Sequence, residues 1–323
     1  APLIGYGWTG YDVAFPGQSR TLRAGYYSIE SRRLDQVVRT ELRAEAVMTR
    51  RKVLAASPTA VVLADGDRVE AKGVIDCRGP ADMSMLQCGW QKFYGRELQL
   101  ADAHGLARPL IMDATVEQLD GYRFLYALPF GPTRVFVEDT YYSDTPDLDP
   151  AALGTRIDAY VAGCDWHVER TEREEGGALA VVMGGDFEGY WQAGGNKVAK
   201  AGSRAGLFHP LTSYSLPDAV RTAVLVAAAS DLSGPALHRL LHDFARSTWR
   251  RRGFYRMLAA MLFKAAEPQE RWRVLARFYR LDPQLIARFY AGHTSMADRL
   301  RIVSGKPPVP IGRALAAIRG GGR

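Results

Sequence analysis

The chain has 323 residues, 47% hydrophobic and 24% charged, a composition that excludes intrinsic disorder and allows one large domain or two modest ones. The net charge of +7 suits a phosphate-bearing cofactor or an anionic membrane surface; no nucleic-acid recognition motif accompanies it, so no nucleic-acid partner is expected. Three scattered cysteines, Cys77, Cys88 and Cys164, form no CxxC pair, which argues against a disulfide framework or a zinc site and for a reducing compartment.

Residues 1–35 are rich in Gly, Tyr and Arg and read as loops and short strands. The opening APLIGYGWTG reads as the interior of a longer sequence, and a natural start further upstream is expected. A helix is predicted over 35–48, with Leu34, Val37, Val38 and Leu42 on one face. Short strands are predicted over 52–65 and 67–78, the second running through Gly73-Val74-Ile75 into Asp76-Cys77-Arg78-Gly79. A buried strand that stops in Asp-x-x-Gly is an exit where a ligand can approach the backbone. Strands over 109–116, 122–128 and 134–140 make a meander, with turns at Asp120-Gly121 and at Pro129, Gly131 and Pro132. A helix over 151–163, an extended stretch over 166–183 and a loop over 202–217 follow. That loop opens an apolar helix over 218–229. The longest apolar run, 222–229, is far short of the roughly 20 residues of a spanning helix. From Pro235 the chain turns helical, basic and aromatic, with breaks at Gly253, Pro268, Pro283 and Pro307-Pro308.

Glu138 and Asp139 close the third strand of the meander. Strand periodicity points such neighbours to opposite faces, so one carboxylate can face an apolar cavity and act as a placed acid. The alternative is an exposed strand end with two solvated carboxylates. Asp76, Arg78 and Gly79 are candidates at the strand exit. Gly206, His209, Pro210 and Tyr214 are candidates just before an apolar helix, whose first N–H groups can bind an anion. His238 and His242 share a helix face, but two histidines without further ligands make no metal site, and no metal is expected. Arg250, Arg251, Arg252, Arg256 and Lys264 surround the apolar Phe254, Tyr255, Leu258 and Phe263. That pattern fits either a helix lying on anionic lipid or an amphipathic helix with its apolar face in the core.

VIDCRG at 74–79, QKFYG at 91–95, IMDATVEQLDGYRFLYALPFGPTRVFVEDTYYSD at 111–144, GLFHPLTSYSLP at 206–217 and RFYAGHTSMADRLRIVSGKPPVPI at 288–311, in this order, resemble the bacterial lycopene β-cyclases. The resemblance implies an α/β fold: an FAD/NAD(P)-binding Rossmann-like domain of the aromatic hydroxylase and geranylgeranyl reductase type, an inserted substrate β-sheet and a helical C-terminal segment. Residues 1–80 and 196–234 would belong to the flavin-binding domain, 81–195 to the substrate sheet and 235–323 to the helical segment. It implies acid-initiated cyclisation of lycopene and other ψ-ended carotenoids with reduced FAD, and NAD(P)H as reductant. The family's acid/base motif falls on Glu138 and Asp139, and its flavin contacts on Asp76, Arg78, Gly79, Gly206, His209, Pro210 and Tyr214. Expected partners are a membrane surface and other carotenoid-pathway enzymes, on the cytoplasmic side of a bacterial inner membrane. Two departures stand out. The family's strand–GxGxxG–helix start is not found, because Gly5, Gly7 and Gly10 follow no strand and open no helix; weak FAD binding by this chain alone is therefore expected. Ser213 stands where the family has glycine. Two other readings stay open: a flavin-dependent prenyl-lipid oxidoreductase, told apart by product mass, and a non-catalytic fragment that binds lipid.

Overall fold

The computed structural model describes residues 3–195, 197–305, 309, 312, 313, 316 and 317. The chain opens with four short strands, β1 (Tyr6–Trp8), β2 (Tyr11–Phe15), β3 (Gln18–Leu22) and β4 (Tyr26–Ser28), and a helix, α1 (Ser31–Glu41). Then come β5 (Val53–Ala56), β6 (Ala60–Leu63), β7 (Arg68–Glu70) and β8 (Ile75–Asp76). The central part holds β9 (Leu86–Leu100), β10 (Leu110–Asp113), β11 (Tyr122–Pro129), β12 (Arg134–Ser143), α2 (Pro150–Gly163), β13 (Val168–Gly185), α3 (Phe187–Ala193) and β14 (Ala199–Lys200). Helices close the described chain: α4 (Leu216–Ala227), α5 (Gly234–Arg251), α6 (Gly253–Lys264), α7 (Trp272–Phe278), α8 (Pro283–Tyr290) and α9 (Met296–Val303).

The frame is a seven-stranded sheet in the order β13-β9-β12-β11-β10-β2-β3. The expected meander is present as antiparallel β10, β11 and β12. The sheet is wider than the expected 81–195, because β2 joins β10 in parallel and brings β3 with it. The alternation Tyr11, Val13 and Phe15 gives β2 an apolar side to bury, and a free edge of β10 receives it. The long strand β9 has no sequence prediction. Gln91, Lys92 and Glu97 are buried along it, and its burial follows neither a clean alternation nor a continuous apolar run. Its place between β12 and β13 is what makes it a strand.

Each face of the sheet carries its own core. On one side α2 starts at Asp149, whose side chain accepts from the Ala151 and Ala152 amides, with Pro150 in the first turn. Leu153, Ile157 and Val161, four apart, lay one stripe of α2 on Leu98, Leu125, Val135 and Val137. On the other side Ala259, Leu262 and Phe263 of α6, Ala276 of α7 and Ile286 of α8 pack on Tyr122, Phe124 and Tyr142. Of the two readings left open for the basic aromatic helices, the apolar face of α6 follows the second: it lies in the core. The predicted helix at 35–48 starts earlier and ends at Glu41, and none of its residues is buried; Leu34, Val38 and Leu42 are exposed. The predicted breaks at Gly253, Pro268 and Pro283 fall at element starts. Pro307 and Pro308 lie outside the described residues.

Candidate active site

The pleat of β12 sends Glu138 and Asp139 to opposite faces. Asp139 goes to the α2 side, where it has no solvent exposure. Leu125 of β11 stands opposite Asp139, which puts Arg123 on the diagonal of the same face. The Arg123 Nε lies 3.0 and 2.9 Å from the two carboxylate oxygens, and its Nη2 donates at 2.8 Å. Arg123 Nη1 also donates to the Glu117 carbonyl at 3.0 Å. Burial pushes the Asp139 carboxyl up, against the pull of Arg123. Sealed behind the sheet and held by a guanidinium fork, Asp139 is placed as an anchor of β12. The opposite-face placement is the one the strand period predicts, and it sets Asp139, a candidate for the acid/base motif, on the side away from Glu138.

Glu138 faces the aromatic side, opposite Tyr126 of β11 and Gly95 of β9. Thr140 Oγ1 donates to Glu138 Oε1 at 2.7 Å. Removal from water pushes the Glu138 carboxyl up. The Thr140 hydrogen bond works against the rise, and the charges of Glu175 and Asp139 add to it, bringing the value to about 7. Glu175 sits on β13 in register with the same Gly95. Gly95 also makes room for Phe136, since a Cβ there would stand 2.4 Å from the Phe136 ring.

Tyr126 stands opposite this acid, and Tyr26 and Tyr214 lie within reach of its charge. The Tyr126 and Tyr214 hydroxyl oxygens are 3.2 Å apart, and the Tyr214 ring lies 5.9 Å from that of Tyr290. Burial, then Tyr214 and Glu138, push the Tyr26 phenol up; burial, then Tyr290, does the same for Tyr214. All of these rings therefore stay neutral. Tyr290 in turn lines an apolar pocket with about 1050 Å³ of empty space, its open mouth included, together with Met112, Tyr122, Tyr142, Leu262 and Phe278. Glu138 does not line this pocket. It lies four residues up β12 from Tyr142 on the same face, and Tyr126 and Tyr214 link it to Tyr290.

The remaining predicted residues fall into two loops and one turn. Parallel pairing of β8 with β14 brings the 76–79 exit beside the 202–206 loop, at the ends of the two strands where α/β sheets take ligands. Asp76 is buried and takes hydrogen bonds from Arg78 Nε and Nη2, both at 2.9 Å, and from Arg204 Nε at 3.1 Å. Burial alone would raise its carboxyl, but Arg78 and Arg204 outweigh it and bring it to about 2. Asp76 is thus engaged by arginines. Gly79, at φ +84°, and Gly202, at φ +59°, leave their Cβ positions open, and Gly206 ends the second loop at φ +67°.

The turn from His209 to Tyr214 is closed by two hydrogen bonds: the His209 amide donates to the Tyr214 carbonyl at 2.9 Å, and the Ser213 amide to the His209 carbonyl at 2.8 Å. His209 is buried, and its Nδ1 accepts from the Leu211 and Thr212 amides at 3.3 Å. Burial, followed by the charge of Arg252, lowers His209 to about 3, so it is neutral. The Pro210 carbonyl ties the turn to β13 by accepting from the Val182 amide at 2.9 Å. Ser213 takes φ +57°, a backbone region that favours glycine, and its Oγ donates to the Ala180 carbonyl at 2.6 Å. The buried Thr212 hydroxyl finds no partner among the described residues. The open glycine backbone of the two loops fits the close approach of a large, phosphate-bearing group such as a flavin dinucleotide, and the unpaired Thr212 hydroxyl offers a polar contact on the apolar pocket it lines.

Sequence reasoning missed Arg123, Thr140, Tyr126 and Tyr290. For the residues on β11 the alternation Tyr122-Arg123-Phe124-Leu125-Tyr126 carries the pattern, with aromatics on one face and the arginine on the other.

The lycopene cyclase protein family matches residues 1–316. The chain belongs to the lycopene cyclase family. It is 45% identical to the lycopene beta-cyclase of Pantoea ananas over 318 residues, covering 98% of this chain and 82% of that relative. Among solved structures its fold is similar to a geranylgeranyl bacteriochlorophyll reductase-like protein from Thermoplasma acidophilum, with a TM-score of 0.57 at 13% identity over 98% of this chain and 83% of that one. It is also similar to a flavoprotein/dehydrogenase from Cytophaga hutchinsonii, with a TM-score of 0.50 at 12% identity over 97% and 83% of the two chains. These likenesses give this lycopene cyclase family member the α/β fold of that reductase group.

Proposed function

We propose that the chain is a lycopene β-cyclase, closing the ψ-ends of lycopene to β-ionone rings by way of γ-carotene to β-carotene, with Glu138 as the proton donor. The observation that carries this reading is a carboxylic acid raised to about 7 on a tyrosine-lined face beside an apolar pocket. It occurs in a chain 45% identical to a lycopene beta-cyclase.

The reaction is an isomerisation. Glu138 transfers its proton to the terminal carbon–carbon double bond of the ψ-end, which leaves a tertiary carbocation and a Glu138 carboxylate. The next internal double bond attacks the cation and closes a six-membered ring. A proton lost from the carbon beside the new cation forms the ring alkene, so one proton enters and one leaves. Protonating an alkene demands an acid kept neutral by its surroundings, which the burial of Glu138 supplies. The neutral rings of Tyr126, Tyr214 and Tyr26 offer π faces to a cation. The apolar pocket keeps out water that would capture it.

Arg78, Gly79, Gly202, Gly206 and the His209–Tyr214 turn, with its Thr212 hydroxyl, would hold FAD. Reduced FAD, with NAD(P)H as its reductant, would supply negative charge to the cation without net consumption. Lycopene dissolves in lipid, so the reading places the protein on the cytoplasmic surface of the inner membrane, near the enzymes that make the substrate. No helix among the described residues is long and apolar enough to cross a membrane.

The test is expression in a lycopene-accumulating bacterium. The expected product is β-carotene at the unchanged mass of lycopene. A product heavier by two hydrogens or an oxygen would indicate an oxidoreductase instead. Unchanged lycopene beside folded, flavin-supplied protein would overturn the reading.

A further inference from the structure

A second pocket, which shares no lining residue with the apolar one, opens between α4, the α5–α6 corner and the α8–α9 connection. It has about 1010 Å³ of empty space, mouth included, and its lining holds Arg221, Arg250, Arg251, Arg252 and Arg299 against a single carboxylate, Asp218. Asp218 is already committed. It accepts from Arg252 Nη1 at 2.6 Å and Nη2 at 2.9 Å, and from Arg221 Nη1 at 3.0 Å. Arg252 is buried and also donates to the Phe208 carbonyl at 3.0 Å, so the Asp218–Arg252 pair forms the floor of the pocket.

The other arginines keep their charge unmatched. Arg251 donates to the Thr248 hydroxyl at 3.2 Å and Arg299 approaches the Thr294 hydroxyl at 3.4 Å; neither neutral group offsets a cation. Arg250 is exposed and makes no hydrogen bond or ion pair among the described residues. His293, also in the lining, is pushed down by burial and then by Arg221, Arg252 and Arg251. A polar cleft elsewhere shows the usual arrangement by contrast: there Arg134 and Arg173 pair with Glu97, and Arg170 with Glu172. Leaving like charges gathered costs stability unless an anion joins them.

We infer that this pocket binds a phosphate group, carried either by a lipid headgroup or by a free solute. Guanidinium forks match phosphate oxygens two at a time, and the charge imbalance is of the sign a phosphate removes. None of the lining residues lines the apolar pocket beside Glu138, so the inference does not depend on the cyclase reading.

The test uses Arg250→Gln/Arg299→Gln, which spares the Asp218–Arg252 floor, and Arg250→Lys/Arg299→Lys, which keeps charge but loses the fork. Arg50→Gln/Lys52→Gln, at two exposed residues elsewhere, matches the loss of charge. Thermal melting first establishes that each variant is folded. Calorimetric titration with inorganic phosphate at constant ionic strength forms one arm. Flotation with phosphatidylglycerol/phosphatidylcholine vesicles, against pure phosphatidylcholine, forms the other. The expected result is saturable binding in at least one arm, weakened about tenfold or more in the Gln pair, partly kept in the Lys pair and unchanged in the control. Binding in the first arm assigns a free phosphate compound, and binding in the second alone a lipid headgroup. No binding in either arm, or equal weakening in the Gln pair and the control, overturns the inference.

Discussion

Glu138 and Asp139 share a peptide bond and live in different solvents. The Glu138 carboxyl, half-buried opposite Tyr126, has among the described residues one hydrogen bond from a neutral hydroxyl and no cation as partner, and its proton is held to about 7. The Asp139 carboxyl is buried more completely, yet a guanidinium meets both of its oxygens. Burial acts on both in the same direction; the partner decides what each can do. An uncompensated acid is a reagent, and a compensated one is a fastening. Asp139 also raises its neighbour, because its charge is one of the causes of the Glu138 rise.

The comparison breaks most sharply at Glu138. Glu138→Gln keeps the shape and the Thr140 contact but removes the transferable proton. Conversion of lycopene to β-carotene should fall about 10²–10⁴-fold, nearer the upper end because carbon is a poor proton acceptor. The melting temperature should not fall, since a carboxyl that resists ionisation is replaced by a neutral amide. Normal β-carotene at matched protein levels would remove Glu138 from the chemistry.

Asp139→Asn should do the reverse. It leaves Arg123 buried without its counter-charge, at a cost of about 3–5 kcal/mol. The melting temperature should drop well before the rate per folded molecule does. Replacing both partners, Arg123→Met with Asp139→Leu, should recover most of that loss, because an apolar pair of similar size carries no desolvation cost. A variant that melts normally but no longer turns over would show Asp139 taking part in the reaction.

This division was legible in the sequence only in outline. The meander at 109–140, the period that splits Glu138 from Asp139 and the Asp-x-x-Gly exit are local patterns, and local patterns survive in a single chain. The partners are not local. Arg123 meets Asp139 through strand register, and the Glu138 carboxyl is raised first by burial within the assembled fold and then by a charge from β13. Strand β9 lies between two neighbours and carries Lys92 and Glu97 inside, so its pattern matched no simple period. The α6 face that suited a membrane equally suited a core, and only the sheet beneath it distinguishes them.

A pH profile sharpens the same contrast. The Glu138 acid is the active form, so kcat/KM should be level below about pH 7 and fall about tenfold per unit above it. Stability should follow with a definite sign. Between the ordinary value of 4.5 and about 7 the folded chain holds a proton that the unfolded chain has released. Stability from this group therefore declines as pH rises through that window and is level beyond it. The urea midpoint of Glu138→Gln should lack this decline. A rate that instead rises above pH 7 would mean that the carboxylate, not the acid, is the working form.

The smallest effects belong to the tyrosines and separate ring from hydroxyl. Tyr126→Phe removes one hydrogen bond, the 3.2 Å contact with Tyr214, but keeps the π face opposite Glu138. A neutral hydrogen bond contributes about 0.5–1.5 kcal/mol, so kcat/KM should fall about two- to tenfold at most. Tyr126→Leu also removes the ring. A desolvated cation–π contact is worth about 2 kcal/mol, which adds a further factor of about thirty if the carbocation forms against this face. The effect should fall on kcat more than on KM, because the cation exists only after proton transfer. Equal losses for Phe and Leu would assign the role to the hydroxyl and its hold on Tyr214. No loss in either would move the cation away from Tyr126, toward the other rings between Glu138 and the apolar pocket.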